Sequence, residues 1–228
     1  MNDLTNHDPK KGGDAPAKNG EHHTFAAPLG SARTGRLEFV RGASLITIDA
    51  QAMSDLYRAR FEGPAPKIQA HNGSVSIQYR HLSLAAWARY ALLWGRHAAE
   101  ITLNAAIPWQ IFIRDGVSKL TADLHTLQLS GITVTGGASE VALRLPSPTG
   151  VVAIRIAGGA SNLSLHRPPG VAAAVRVDGG ASKLTFDDQH FGGVGGGIRL
   201  ATPDATSKAD RYEIEIAGGA SKLTVATR

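Results

Sequence analysis

Cysteine is absent from the 228-residue chain, which excludes a disulfide framework, a thiolate metal site and a cysteine nucleophile. Long hydrophobic runs are missing too: the most apolar window, Leu82 to Trp94, is too short to span a bilayer and carries Arg89 in its middle. The amino terminus has no apolar run following positive charge, so no secretory signal is expected and the default location is the cytoplasm. Residues 1–33 offer almost nothing to bury and read as a disordered tail, leaving 34–228 as the folded domain. The formal net charge is +5, but 16 of the 24 basic residues are arginines scattered one by one. No basic stripe forms, so no nucleic-acid partner is evident.

Glycine, in contrast, is abundant at 26 residues. Much of it falls in near-copies of one motif: "IAGGASNLSL" from Ile156, "VDGGASKLTF" from Val177 and "IAGGASKLTV" from Ile216. With the second glycine as a marker, the copies stand at Gly137, Gly159, Gly180 and Gly219, with Gly116 an earlier member and Gly42 and Gly73 looser ones. Gly116, Gly137, Gly159 and Gly180 follow one another at 21 or 22 residues, and the step to Gly219 is one unit plus an insertion of about 18. A fixed period in this range marks a solenoid, in which each repeat is one coil stacked on the next.

Each coil shows two runs of alternation. Apolar residues sit two apart before the marker, as at Ile154 and Ile156, and again after it, as at Leu163 and Leu165. Period two means strands with one buried and one wet face. The two runs are out of phase: Ile156 to Ala160 is an even step and Ala160 to Leu163 an odd one. The backbone must therefore bend or bulge between them. The expected corners are Gly137, Ala138 and Ser139; Gly159, Ala160 and Ser161; Gly180, Ala181 and Ser182; and Gly219, Ala220 and Ser221. Glycine is expected to supply positive φ or a tight turn, alanine to point inward, and serine to bond stranded backbone groups.

These features predict an all-β, single-stranded parallel β-solenoid, a right-handed β-helix whose strands all run parallel to their counterparts. Lys119 and Glu140 would be neighbours of opposite charge on its outside. The open ends need caps. The aromatic segment 82–94, with Trp87, Tyr90 and Trp94 at helical spacing, is a candidate cap or a docking surface for another chain, and the insertion 187–210 lies near the other end.

The stretch from "AEITLNAAIPWQIFIRDGVSKL" through "DRYEIEIAGGASKLTV", Ala99 to Val225, resembles the bacterial toast-rack or LiaF-like domains of unknown function. The resemblance implies a β-solenoid. In relatives such domains are often the soluble part of membrane proteins of cell-envelope stress signalling. It supplies no catalytic residues.

Catalytic readings are weaker. The repeated serine precedes a new strand, not the helix that a hydrolase elbow requires, and a nucleophile is needed once whereas a corner is needed in every coil. "FGGVGGGIRL", Phe191 to Leu200, fits no phosphate-binding loop. Apart from His22 and His23 in the tail the histidines are isolated, so no metal site is expected. For a glycan-active enzyme the place to look is Asp187, Asp188, His190 and Arg211, although no carboxylate ladder runs along any face. The sequence thus points to a non-enzymatic scaffold or protein-interaction module without a cofactor, with a glycan-active enzyme and an end-to-end self-assembling protein as alternatives. Its partner would be another protein or a second copy.

Overall fold

A computed structural model describes residues 22–41, 45–63, 65–79 and 98–228. These residues contain no helix. The strands are β1 (His22–Pro28), β2 (Gly35–Arg41), β3 (Leu45–Gln51), β4 (Asp55–Glu62), β5 (Lys67–His71), β6 (Ser74–Gln78) and β7 (Ala98–Asn104). They continue as β8 (Pro108–Ile113), β9 (Val117–Asp123), β10 (Gln128–Val134), β11 (Ala138–Arg144), β12 (Val151–Ile156) and β13 (Ala160–Arg167). The last are β14 (Ala172–Val177), β15 (Leu184–Phe186), β16 (Gln189–Phe191), β17 (Ile198–Ala201), β18 (Arg211–Ile216) and β19 (Ala220–Thr227).

Two mixed sheets result. One has the order β1-β4-β7-β3-β9-β11-β13-β19-β15-β16 and the other β17-β14-β18-β12-β10-β8-β2-β6-β5. A coil contributes one strand to each sheet, as β12 and β13 do, and the apolar side chains of both sheets form one continuous core. The phase slip is visible in exposure: Ala160 is buried, Ser161 and Asn162 are both exposed, and Leu163 is buried again.

Two expectations need correction. The strands are not all parallel: the coils stack in parallel, but β4 on β7, β5 on β6, β16 on β15 and β17 on β14 are antiparallel, and β1 is antiparallel to β4. These additions set an antiparallel strand at both ends of both sheets, beyond the last strand of the parallel stack. Residues 22–28, which the sequence reading assigns to the tail, form β1, whose alternate residues Phe25 and Ala27 pack against the core.

The coils do not stack in chain order either. The last coil, β18 and β19, lies between β12/β13 and β14/β15, and the first, β2 and β3, lies between β6/β7 and β8/β9. A physical reason for the first displacement is visible in the charges. Direct pairing of β12 with β14 in the same register would make Arg155 and Arg176 cross-strand neighbours, and like charges there are destabilising. Insertion of β18 places Glu215 between them, 3.3 Å from Arg155 and 3.8 Å from Arg176.

The alanines still form one column, in the order Ala138, Ala160, Ala220, Ala181, with Val117 ahead of them. The first glycine of each corner is excluded from bearing a side chain by crowding: a Cβ on Gly158 would lie 2.7 Å from the Gly137 nitrogen, and one on Gly218 would lie 2.6 Å from that of Gly159. Positive φ, the other role expected of glycine, is found at Gly73 and Gly116 but not in the four Gly-Gly corners.

Candidate functional site

The residues proposed for chemistry do not assemble into a catalytic set. Asp187 is held in a bidentate pair with Arg167, at 2.8 Å and 2.6 Å, and Arg167 also donates from Nε to the Val171 carbonyl. Asp188 is exposed, the His190 ring nitrogen Nδ1 lies 3.1 Å from the Thr185 hydroxyl, and Arg211 is paired with Glu213. Ser182 donates its hydroxyl to the Ser221 carbonyl, and Ser221 donates to that of Ser161. A hydroxyl engaged in this way stitches neighbouring corners together. Gly159, Gly180 and Gly219 line a shallow depression of about 700 Å³ along that stitched edge, closed at one end by Val194. Gly137, Ala138 and Ser139 belong to the same series of corners, one coil further along.

Among the described residues no group of His, Asp and Glu is arranged to hold a metal ion. Trp87, Tyr90 and Trp94 lie outside the described residues. The outward pair Lys119 and Glu140 forms an ion pair of 2.7 Å. Asp123 accepts from both His125 and Arg144. Partial burial pushes its carboxyl up, but the hydrogen bonds from His125 and Arg144 outweigh that and hold it below the usual range.

A groove of about 370 Å³ stands out on the outer face of the second sheet. Four strands build it, and registers place its side chains in two rows. One row runs Ala201, Ala174, Glu213, Ala153, and the other Arg199, Arg176, Glu215, Arg155. Period two brings both rows to the same face, so the small side chains of the first leave a floor beside the long ones of the second. Arg155 and Arg176 have Glu215, Arg176 also has Asp178 at 2.7 Å, and Arg211 has Glu213. Arg199 is exposed and has no ion-pair partner among the described residues.

Sequence reasoning missed this face. Residues 198–201 sit in the Gly-rich insertion read as a loop, yet "IRLA" has the alternation of a strand and Ile198 is buried. Recognising that alternation would have placed Arg199 on a surface, but not beside Arg176.

No curated protein matches the chain. A solved structure from Clostridium sporogenes, described as a candidate cell adhesion protein, has a TM-score of 0.68 at 16% identity, covering 92% of this chain and 100% of that one. At that identity the likeness speaks for the fold alone. A candidate adhesin from Bacteroides fragilis aligns at 7% identity over 95% of this chain and 100% of its own, with a TM-score of 0.28 too low to carry an argument. Among the described residues no helix is long and apolar enough to cross a membrane. The family model described as the N-terminal domain of toast-rack, DUF2154, matches residues 15–166, two-thirds of the sequence, and the chain belongs to that family.

Proposed function

We propose that the protein is a non-enzymatic β-solenoid scaffold that binds another protein through the alanine-floored groove of its second sheet. The observation that supports this most is the contrast between that groove and its surroundings. Elsewhere on the face, arginines are matched by carboxylates of the same chain, as in Arg36 with Glu38, whereas the groove combines small apolar side chains with the Arg199 guanidinium, which no carboxylate among the described residues matches. Arginine beside an apolar floor is what protein interfaces favour. Membership in the toast-rack family is in keeping with a non-catalytic role. The finer reading places the module in a bacterial envelope-stress response, acting from the cytoplasm. The segment 82–94 with Trp87, Tyr90 and Trp94 would be a second contact, and the corner residues would be structural throughout.

A photo-crosslinking residue at Ala201 tests the reading. A discrete protein adduct that is missing when the same residue replaces Ser76, on the far part of the same sheet, is the expected result. No adduct at Ala201, or equal adducts at both positions, would refute binding through the groove. Turnover of a glycan that is abolished by Asp188→Ala, an exposed member of the same candidate set, would favour the enzyme reading instead.

A further inference from the structure

The groove opens at the side of β17, the outermost strand of its sheet. No strand among the described residues pairs with the outer edge of β17, so its backbone groups on that side form a template for an added strand. The row of long side chains ends at the same edge: Arg155, Glu215, Arg176, Arg199. Charge alternates from Arg155 to Arg176 and then fails, because Arg199 stands directly opposite Arg176. Asp178 and Glu215 serve Arg176, and nothing among the described residues serves Arg199. A carboxylate in the next position outward would restore the alternation.

Building on the protein-binding reading above, we infer that the partner supplies an extended segment that pairs with β17 and sets an Asp or Glu side chain beside Arg199. A residue two positions away on that segment would face the same way. There it meets Ala201 and, beyond it, Ala174, so a medium-sized apolar side chain fits. The lining argues against a polyanion. Its three arginines face two glutamates, Glu213 and Glu215, which leaves room for one carboxylate and repels a run of phosphates. The recognised element is therefore an extended peptide with one acidic and one apolar residue two apart.

The test is an NMR titration of the whole chain, reading the arginine Nε–H and β17 amide signals. The probe is the capped heptapeptide Thr-Ser-Glu-Thr-Leu-Ser-Thr, compared with its glutamine counterpart and with acetate. Expected are saturable shifts at β17 with the glutamate peptide, at least tenfold weaker binding with the glutamine peptide, and a similar loss in Arg199→Ala. Arg199 is exposed and makes no ion pair with described residues, so that variant should melt like the parent. Arg58→Ala, which alters an exposed arginine on β4 of the other sheet, should leave binding within twofold. No shifts at β17, equal binding of the two peptides, or acetate shifts matching the peptide's would each overturn the inference. An Ala201 adduct that survives Arg199→Glu would overturn it too while leaving the protein-binding role standing; loss of the adduct from the parent chain itself would remove that role.

Discussion

Replacing Asp187 by asparagine should destabilise the protein by about 3 kcal/mol, because it strands a buried charge. The Arg167 side chain is 3% exposed and that of Asp187 29%. Arg167 ends β13 and Asp187 follows β15, with β19 between the two strands. The pair therefore bridges two strand spacings, roughly 10 Å, and straps the last coil into place. Removing one partner of a fully buried pair costs about 3–5 kcal/mol. Partial exposure of Asp187 and the surviving bond from Arg167 to the Val171 carbonyl argue for the lower end. Asp187 has φ of 49°, and asparagine tolerates that left-handed conformation as aspartate does, so backbone strain does not confound the result. For a chain of this length about 3 kcal/mol corresponds to a Tm lowered by roughly 6–12 °C. Urea and thermal unfolding of the parent, Asp187→Asn, Arg167→Met and the double variant would measure it. The double variant should recover part of the loss, since the stranded charge is then gone. A change below about 0.5 kcal/mol in Asp187→Asn would refute the strap.

Gly218→Ala should cost more than about 2 kcal/mol, since its Cβ would meet backbone atoms at 2.6–2.8 Å that cannot swing aside. Gly193→Ala, with open space around it, should stay within about 0.5 kcal/mol of the parent; denaturant midpoints compare them. Glu215→Lys should lower stability by about 1–2 kcal/mol, because it lines up four cations from Arg155 to Arg199, and added salt should shrink the loss; melting at low and high ionic strength reads this out. Asp123→Asn should have its full effect above pH 4 and progressively less as the pH falls further. The folded-state carboxyl is held low, so its stabilisation is full above the unfolded value of about 3.9 and fades as pH falls through the folded one. Melting curves of the two proteins should differ most at pH 6, and the difference should shrink as the pH is lowered through the acid range.

The alternation in each coil, the inward alanine and the slip at the serine were legible because they are local. Each depends on which face a residue a few positions away must take, and a buried Leu163 or Ile156 leaves little choice. The corner glycines were located on the same grounds but for an incomplete reason. Their need is the near approach of another coil, which no dihedral preference reveals. The groove was hidden because its edge strand β17 lies in the insertion read as a loop, and because a sequential stack would set β14, not β18, beside β12. Trp109 shows the same limit: no local pattern tells that its ring covers Gly35, where a Cβ would lie 2.3 Å away, or that its indole nitrogen donates to the Asn104 carbonyl.

The sequence by itself determined what a coil is: two short strands, a small-residue corner and an inward apolar stripe, all set by spacings of two, three and 21 or 22 residues. Only the tertiary structure decided the order of the coils and how the stack ends. Near-identical coils offer near-identical faces, so their pairing energies barely distinguish one neighbour from another. The choice then falls to features far apart in the chain. Glu215 relieves Arg155 and Arg176, Asp187 reaches back to Arg167, and antiparallel strands occupy the four outer edges.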